Sequence, residues 1–253
     1  MMTQVKGIIF PLALAFVAIS CSATPTSSRE PTFAEGMDAY NDGDCHRATR
    51  IFEQLANRYS GAAVNLGNAY RFGECVERDT KRAYSLLNKA CMSGDLDGCY
   101  NLGAMFKNGE YVERDYEMAF HLWRKAAESG HAGAMNGIGL LYSDGLGTEQ
   151  SLEEAIQWYK EAATLGDPTA MYNLFFSYAK ESPLRDGDKA KYWVEKAADA
   201  GSPPAYHVLV TCYQHGAFGF NKDEEKARYW QSRYDKAVSK GLWPNKALNK
   251  DAH

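Results

Sequence analysis

Ser177-Tyr178-Ala179-Lys180 spells S-x-x-K, a serine-nucleophile signature, and Ser143-Asp144-Gly145 loosely matches the S-D-N element that accompanies it in penicillin-recognising enzymes. The two tracts stand in the reverse order to those enzymes, and no K-T-G follows. A four-residue pattern is also expected by chance in a chain of 253 residues. No catalytic residue is therefore assigned. His46, His121, His131, His207, His215 and His253 are scattered without H-E-x-x-H or paired-ligand spacing, so neither a metal site nor a cofactor is expected. Gly137-Ile138-Gly139 opens a G-x-G pattern but lacks the third glycine and a preceding strand, and reads as a helix-packing motif.

Composition narrows the partners. A formal net charge of −4, with Lys/Arg and Asp/Glu interspersed, provides no basic face for nucleic acid and no polybasic membrane patch. Residues 1–20 read as an export signal: Lys6 gives a short positive start, Gly7 to Val17 are almost all apolar, and small residues lead to Ala18-Ile19-Ser20-Cys21. The apolar run is too short to span a membrane comfortably. Ala-Ile-Ser-Cys resembles the bacterial lipobox, whose cysteine becomes the lipidated first residue, although Ala18 and Ile19 depart from its preferred residues. Lipidation of Cys21 is expected; the alternative is ordinary cleavage near Ser20 or Ser22-Ala23 that releases the protein. Residues 21–32 have no apolar periodicity and read as a flexible tether.

The remaining chain is periodic. A unit of about 36 residues recurs, marked by SLLNKACMSG ending at Gly94, LWRKAAESG at Gly130, WYKEAATLG at Gly166, WVEKAADAG at Gly201 and the looser SRYDKAVSKG at Gly241. Each unit reads as two helices with apolar residues at helical spacing, for instance Leu102, Phe106, Ala119, Leu122, Trp123 and Ala126. Asp44, Asp79, Asp115, Ser151, Asp186 and Asp223 stand four residues before an alanine, where a side-chain acceptor caps the second helix; Ser151 with Glu154 makes a capping box. Gly43, Gly73, Gly109, Gly145 and Gly216 end the first helices. Gly67, Gly103 and Gly139 share one place, where a missing side chain lets two helices approach. A unit of this kind cannot bury its apolar face alone, so stability comes from stacking and function from an extended surface.

The pattern A-x-x-x-L-G-x-x-Y/F-x-x-G, a capping Asp, then A-x-x-W/L-x-x-K-A-A/C-x-x-G resembles the Sel-one-like repeat, a relative of the tetratricopeptide repeat. The resemblance implies an all-α, right-handed α/α helical-repeat solenoid. Five repeats span 61–241 (61–94, 95–130, 131–166, 167–201 and 202–241), after a capping hairpin over 33–60 and before a tail of 242–253. The fourth unit departs from the pattern, with Phe175 at the helix glycine and Glu181 at the loop glycine.

Cys91 and Cys99 end one second helix and begin the next first helix, and their spacing is that of the disulfides in cysteine-rich bacterial members of the family. A bridge is expected there. Cys45 and Cys75 lie two residues past the glycines of successive units, and either bridge the cap to the first repeat or remain two buried thiols. Cys212 reads as a core thiol. Asn65, Asn101 and Asn173 fall at one place of the first helices, which line the concave face in such solenoids, with Gly137 and Val208 interrupting the series. The asparagines either hydrogen-bond an extended peptide or satisfy backbone groups of neighbouring helices. Asn68, Arg71, Lys107 and Asn108 are expected to be exposed beside that groove.

The sequence thus reads as a non-enzymatic scaffold of the bacterial cell envelope that binds a protein or peptide, touches membrane only through a lipid anchor, and faces the periplasm from the outer membrane. The alternatives are a binder or hydrolase of cell-wall or β-lactam ligands, and a secreted effector.

Overall fold

A computed structural model describes residues 29–180 and 182–242. The leader, Cys21 with its tether as far as Ser28, Glu181 and the tail from Trp243 lie outside the described residues. The chain divides after Glu30, and the unit from Pro31 onward carries all the helices named below. Among the described residues there are twelve α-helices and no strand.

Helices α1 (Phe33–Asn41) and α2 (Cys45–Leu55) form the leading hairpin. The next four pairs are α3 (Ser60–Phe72) with α4 (Thr80–Met92), α5 (Leu96–Asn108) with α6 (Tyr116–Ala127), α7 (Ala132–Asp144) with α8 (Leu152–Thr164), and α9 (Pro168–Ala179) with α10 (Gly187–Asp199). Helices α11 (Pro203–His215) and α12 (Glu224–Ser239) complete the array. Each helix packs chiefly on its sequence neighbours, as a solenoid requires. Across repeats, first helices also meet directly, α3 with α5 and α7 with α9, whereas second helices of adjacent repeats make at most marginal contact. The first helices therefore lie on the inner side of the stack.

Local chemistry explains the boundaries. Asp44, Asp79, Asp115, Ser151, Asp186 and Asp223 each accept the backbone N–H three residues on, satisfying one orphan donor at a helix start, worth about 1 kcal/mol apiece. Ser151 makes only this half of the expected box; the reciprocal arrangement occurs at Thr32 and Glu35, where Glu35 reaches back to the Thr32 N–H at 2.7 Å. First helices end at Gly73, Gly109, Gly145 and Gly216, all left-handed. Two residues further on, Cys75, Tyr111, Gly147 and Phe218 are also left-handed, so this loop conformation belongs to the repeat and is met mostly by residues that adopt it reluctantly.

Packing is a sequence of size exchanges. Ala83, Ala119, Ala155 and Ala190 are fully buried on second helices, so backbones come close. A Cβ on Gly67 would stand 2.9 Å from Leu87 Cγ, on Gly103 2.5 Å from Trp123 Nε1, and on Gly139 2.5 Å from Tyr159 Cε1. Where the fourth unit replaces this glycine by the buried Phe175, helix α10 carries the smaller Val194 at the place of Trp123 and Tyr159. The departure is thus a compensated exchange of volume, the kind of swap a core tolerates best.

Candidate functional site

Polar side chains on the inner face of the first helices are mostly partnered. Asn65 Nδ2 donates to Gly61 O at 2.8 Å, and Asn101 Nδ2 donates to Asp97 O at 2.9 Å, each one turn back on its own helix. Asn173 behaves differently, donating to Oδ1 of the buried Asn136 at 2.8 Å. Each amide keeps a second N–H beyond these bonds. Gly137 interrupts the series for a steric reason: a Cβ there would lie 2.7 Å from Trp123 Cε3. Trp123 is held between Gly103 of α5 and Gly137 of α7, and its Nε1 donates to Tyr100 O at 2.9 Å. The G-x-G tract is therefore a pair of aromatic seats.

Arg71 was expected to be exposed and is buried, 5% accessible, as a fork on Glu110 of the next repeat, with Nε to Oε2 at 2.6 Å and Nη2 to Oε1 at 2.9 Å. Its Nη1 also reaches Asn101 Oδ1 at 3.4 Å. Asn108, which is exposed, donates to Glu110 Oε1 at 2.7 Å. Burial opposes ionisation of Glu110, but the hydrogen bonds from Arg71 and Asn108 outweigh it and hold its carboxyl below the usual value. Asn68 is half-buried, with an Oδ1 that is enclosed and without a partner, and Lys107 is half-buried as well. Of the four residues expected beside the groove, only Asn108 is exposed.

Sequence reasoning missed Glu110. A signal was available, because acid follows the helix-ending glycine in two successive units, Gly73-Glu74 and Gly109-Glu110, and each accepts from the preceding unit. Tyr40 donates to Glu74 at 2.8 Å as Arg71 donates to Glu110. Sequence reasoning also missed His131 as a cap: its Nδ1 accepts the Ala134 N–H at 2.9 Å, while Nε2 lies 3.0 Å from Asp97 Oδ1.

Farther along the inner face, a cleft of about 450 Å³ opens among α7, α8 and α9, lined by Leu140, Ser143, Asn173, Phe176, Ser177 and Lys180 among others. Phe176 is 49% exposed there, and Lys180 is exposed at the end of α9. Both serines of the suspected catalytic tracts line this cleft, but Ser177 is only 6% accessible and donates its hydroxyl to Asn173 O at 2.9 Å. That proton is committed to a backbone carbonyl one turn back, not to a base. Tyr159, at the floor of the cleft, is pushed up by burial. Among the described residues no group of His, Cys, Asp and Glu stands in a metal-holding arrangement.

Two disulfides join the first units: Cys91–Cys99, wholly buried, and Cys45–Cys75, half-buried. Cys212 is free and 1% accessible, its thiol pushed up to about 11 by burial. Among the described residues no helix is long and apolar enough to cross a membrane.

Stacked helix pairs with a continuous inner face define a helical-repeat scaffold. The Sel1 repeat model matches residues 60–95, 96–131, 132–167, 168–202 and 211–233, and the chain belongs to the Sel1 repeat family. A Sel1 repeat protein from Oxalobacter formigenes is 30% identical, with a TM-score of 0.71 over 80% of this chain and 85% of that one. A protective antigen of uropathogenic Escherichia coli with the same fold is 25% identical, with a TM-score of 0.51 over 79% of this chain and 52% of the antigen. An immunity protein from Pseudomonas aeruginosa shares the fold at 22% identity and a TM-score of 0.62, over 81% and 83% of the two chains. Among curated proteins none matches significantly.

Proposed function

We propose that this protein is a non-enzymatic scaffold of the bacterial cell envelope, exported and anchored by lipid at Cys21, that holds a protein or peptide along the inner face of its first helices. The observation that carries the reading is the cleft beside α9, where the half-exposed Phe176 stands with Asn173 and Lys180 in one groove. An apolar anchor beside polar groups is the composition of a recognition surface. Asn65, Asn101 and Asn173, with a spare amide donor each, extend the contact along an extended ligand, and Asn108 and Lys107 border it. Two disulfides support an oxidising compartment and hence export.

The test uses residues 33–253, oxidised and tethered through the amino terminus, exposed to detergent-solubilised envelope with crosslinking and mass spectrometry. One reproducible protein partner, lost on Asn65→Ala/Asn101→Ala/Asn173→Ala with Phe176→Ser, is the expected result. Recovery of glycan fragments alone would overturn the reading in favour of a wall ligand. Anchoring is checked separately: Cys21→Ser should release the protein from the membrane fraction, and unchanged fractionation would refute lipidation.

A further inference from the structure

The two disulfides differ in three ways that bear on reactivity. Cys91 and Cys99 are 2% and 1% accessible, and they join the end of α4 to the start of α5, two helices already packed along their lengths. Cys45 and Cys75 are half-buried, and they join the first residue of α2 to the loop after α3. That second bridge crosses the boundary between the leading hairpin and the first repeat, one of the sparser junctions between consecutive helices. Polar links beside it that span the same boundary include Tyr40 to Glu74 at 2.8 Å, Tyr70 to Glu53 at 3.3 Å and Lys89 to Asn57 at 2.8 Å.

We infer that Cys45–Cys75 is a site of thiol–disulfide exchange with a dithiol reductant, while Cys91–Cys99 is a fixed structural bridge. Exchange needs a thiolate to reach one sulfur in line with the other, and half-exposure in a loop permits this where full burial between helices forbids it. The two sulfurs of the reactive bridge are also unequal. Cys45 is the first residue of α2, where the positive end of the helix dipole favours a thiolate. A carboxylate precedes both sulfurs, Asp44 before Cys45 and Glu74 before Cys75, so the helix start is what separates them.

The favoured course follows from that difference. A reductant thiolate attacks Cys75 Sγ, the Cys45–Cys75 bond breaks, and Cys45 leaves as a thiolate that is protonated by solvent. The second reductant thiol, as thiolate, then attacks its own sulfur in the mixed disulfide and releases the Cys75 thiolate. The protein bridge gains two electrons, the dithiol is oxidised to a disulfide, and its two protons end on the cysteines at pH values where both are thiols. The left-handed backbone at Cys75 recurs at Tyr111, Gly147 and Phe218, none of which is bridged. The loop therefore keeps its shape after the bond opens, and reduction frees the hairpin α1–α2 without unfolding the repeats.

The experiment uses the full oxidised chain and dithiothreitol, with iodoacetamide quenching at intervals and peptide mass spectrometry. Cys45 and Cys75 should become alkylated at least tenfold faster than Cys91 and Cys99, and hydrogen exchange should rise within residues 33–59 while α5 to α12 keep their protection. Glutathione in place of dithiothreitol should trap the mixed disulfide on Cys75, with the alkyl group on Cys45. Equal rates for the two bridges, earlier opening of Cys91–Cys99, or glutathione recovered mainly on Cys45 would overturn the inference.

Discussion

The leading hairpin and the first two repeats are held together differently from the three repeats that follow. In the first region, junctions between units carry covalent, ionic and hydrogen-bonded cross-links: Cys45–Cys75 and Cys91–Cys99, Arg71 on Glu110, and Tyr40 on Glu74. In the second, the residues after the helix-ending glycines are Leu146 and Ala217, no disulfide joins its described residues, and the aromatic contacts seen in the first region between Tyr84 and Phe106 recur. Phe175 meets Phe218 edge-on at 5.3 Å across the junction of the last two repeats, where Lys191 Nζ also lies 4.9 Å over Phe220. One backbone plan therefore accepts two kinds of adhesive, provided each unit still hands an apolar stripe to the next.

The seam between the regions is Trp123, and removing it should have the largest effect. Trp123→Ala opens a cavity between Gly103 and Gly137 and removes the indole hydrogen bond to Tyr100 O, so a loss of about 4 kcal/mol is expected in urea unfolding. A loss below about 1 kcal/mol would show that the regions do not depend on this joint. Removing the two bridges comes next. Their sequence separations of 30 and 8 predict losses of about 4 and 3 kcal/mol on a chain-entropy basis. Hydrogen exchange of the Cys45→Ala/Cys75→Ala variant should loosen residues 33–59 and spare α9 to α12; loosening spread evenly over both regions would break the comparison.

Arg71→Leu leaves the Glu110 carboxylate without its cation and should cost about 3 kcal/mol, whereas Arg71→Leu with Glu110→Leu should recover most of it. Acid should act on the same joint. Because the native Glu110 carboxyl is held below its unfolded value, its stabilisation is present above the ordinary carboxylate range and fades as pH falls through the depressed native value. Exchange in α3 and α5 should therefore rise on acidification before exchange in α7 and α9 does. The smallest effect on stability is expected for Phe176→Ser, within about 0.5 kcal/mol, since the ring is half in solvent already. That same change should remove most of the affinity for the partner, separating the site from the scaffold.

Much of the fold was legible because its signals are local. A capping Asp needs only the N–H three residues on, and a helix-ending glycine only its own backbone, so the six caps and the first-helix stops could be read directly. The site was less legible because its partners are distant. Arg71 reads as a surface cation until Glu110, 39 residues on, is brought beside it. Asn68 reads as exposed until packing encloses its carbonyl oxygen. Phe175 reads as a defect until Val194 on the facing helix is seen to be small. The cleft arises from three helices of two repeats, and no single repeat announces it.

The proposed recognition surface is the inner face of the first helices. The most direct measurement places a photoreactive amino acid at Phe176 on α9, or instead at Tyr192 on α10, which is equally exposed at 51%, in the oxidised protein among solubilised envelope components. Crosslinks to one partner from position 176 and none from position 192 are predicted. Capture of that partner from position 192 alone would contradict the account and move recognition to the outer helices.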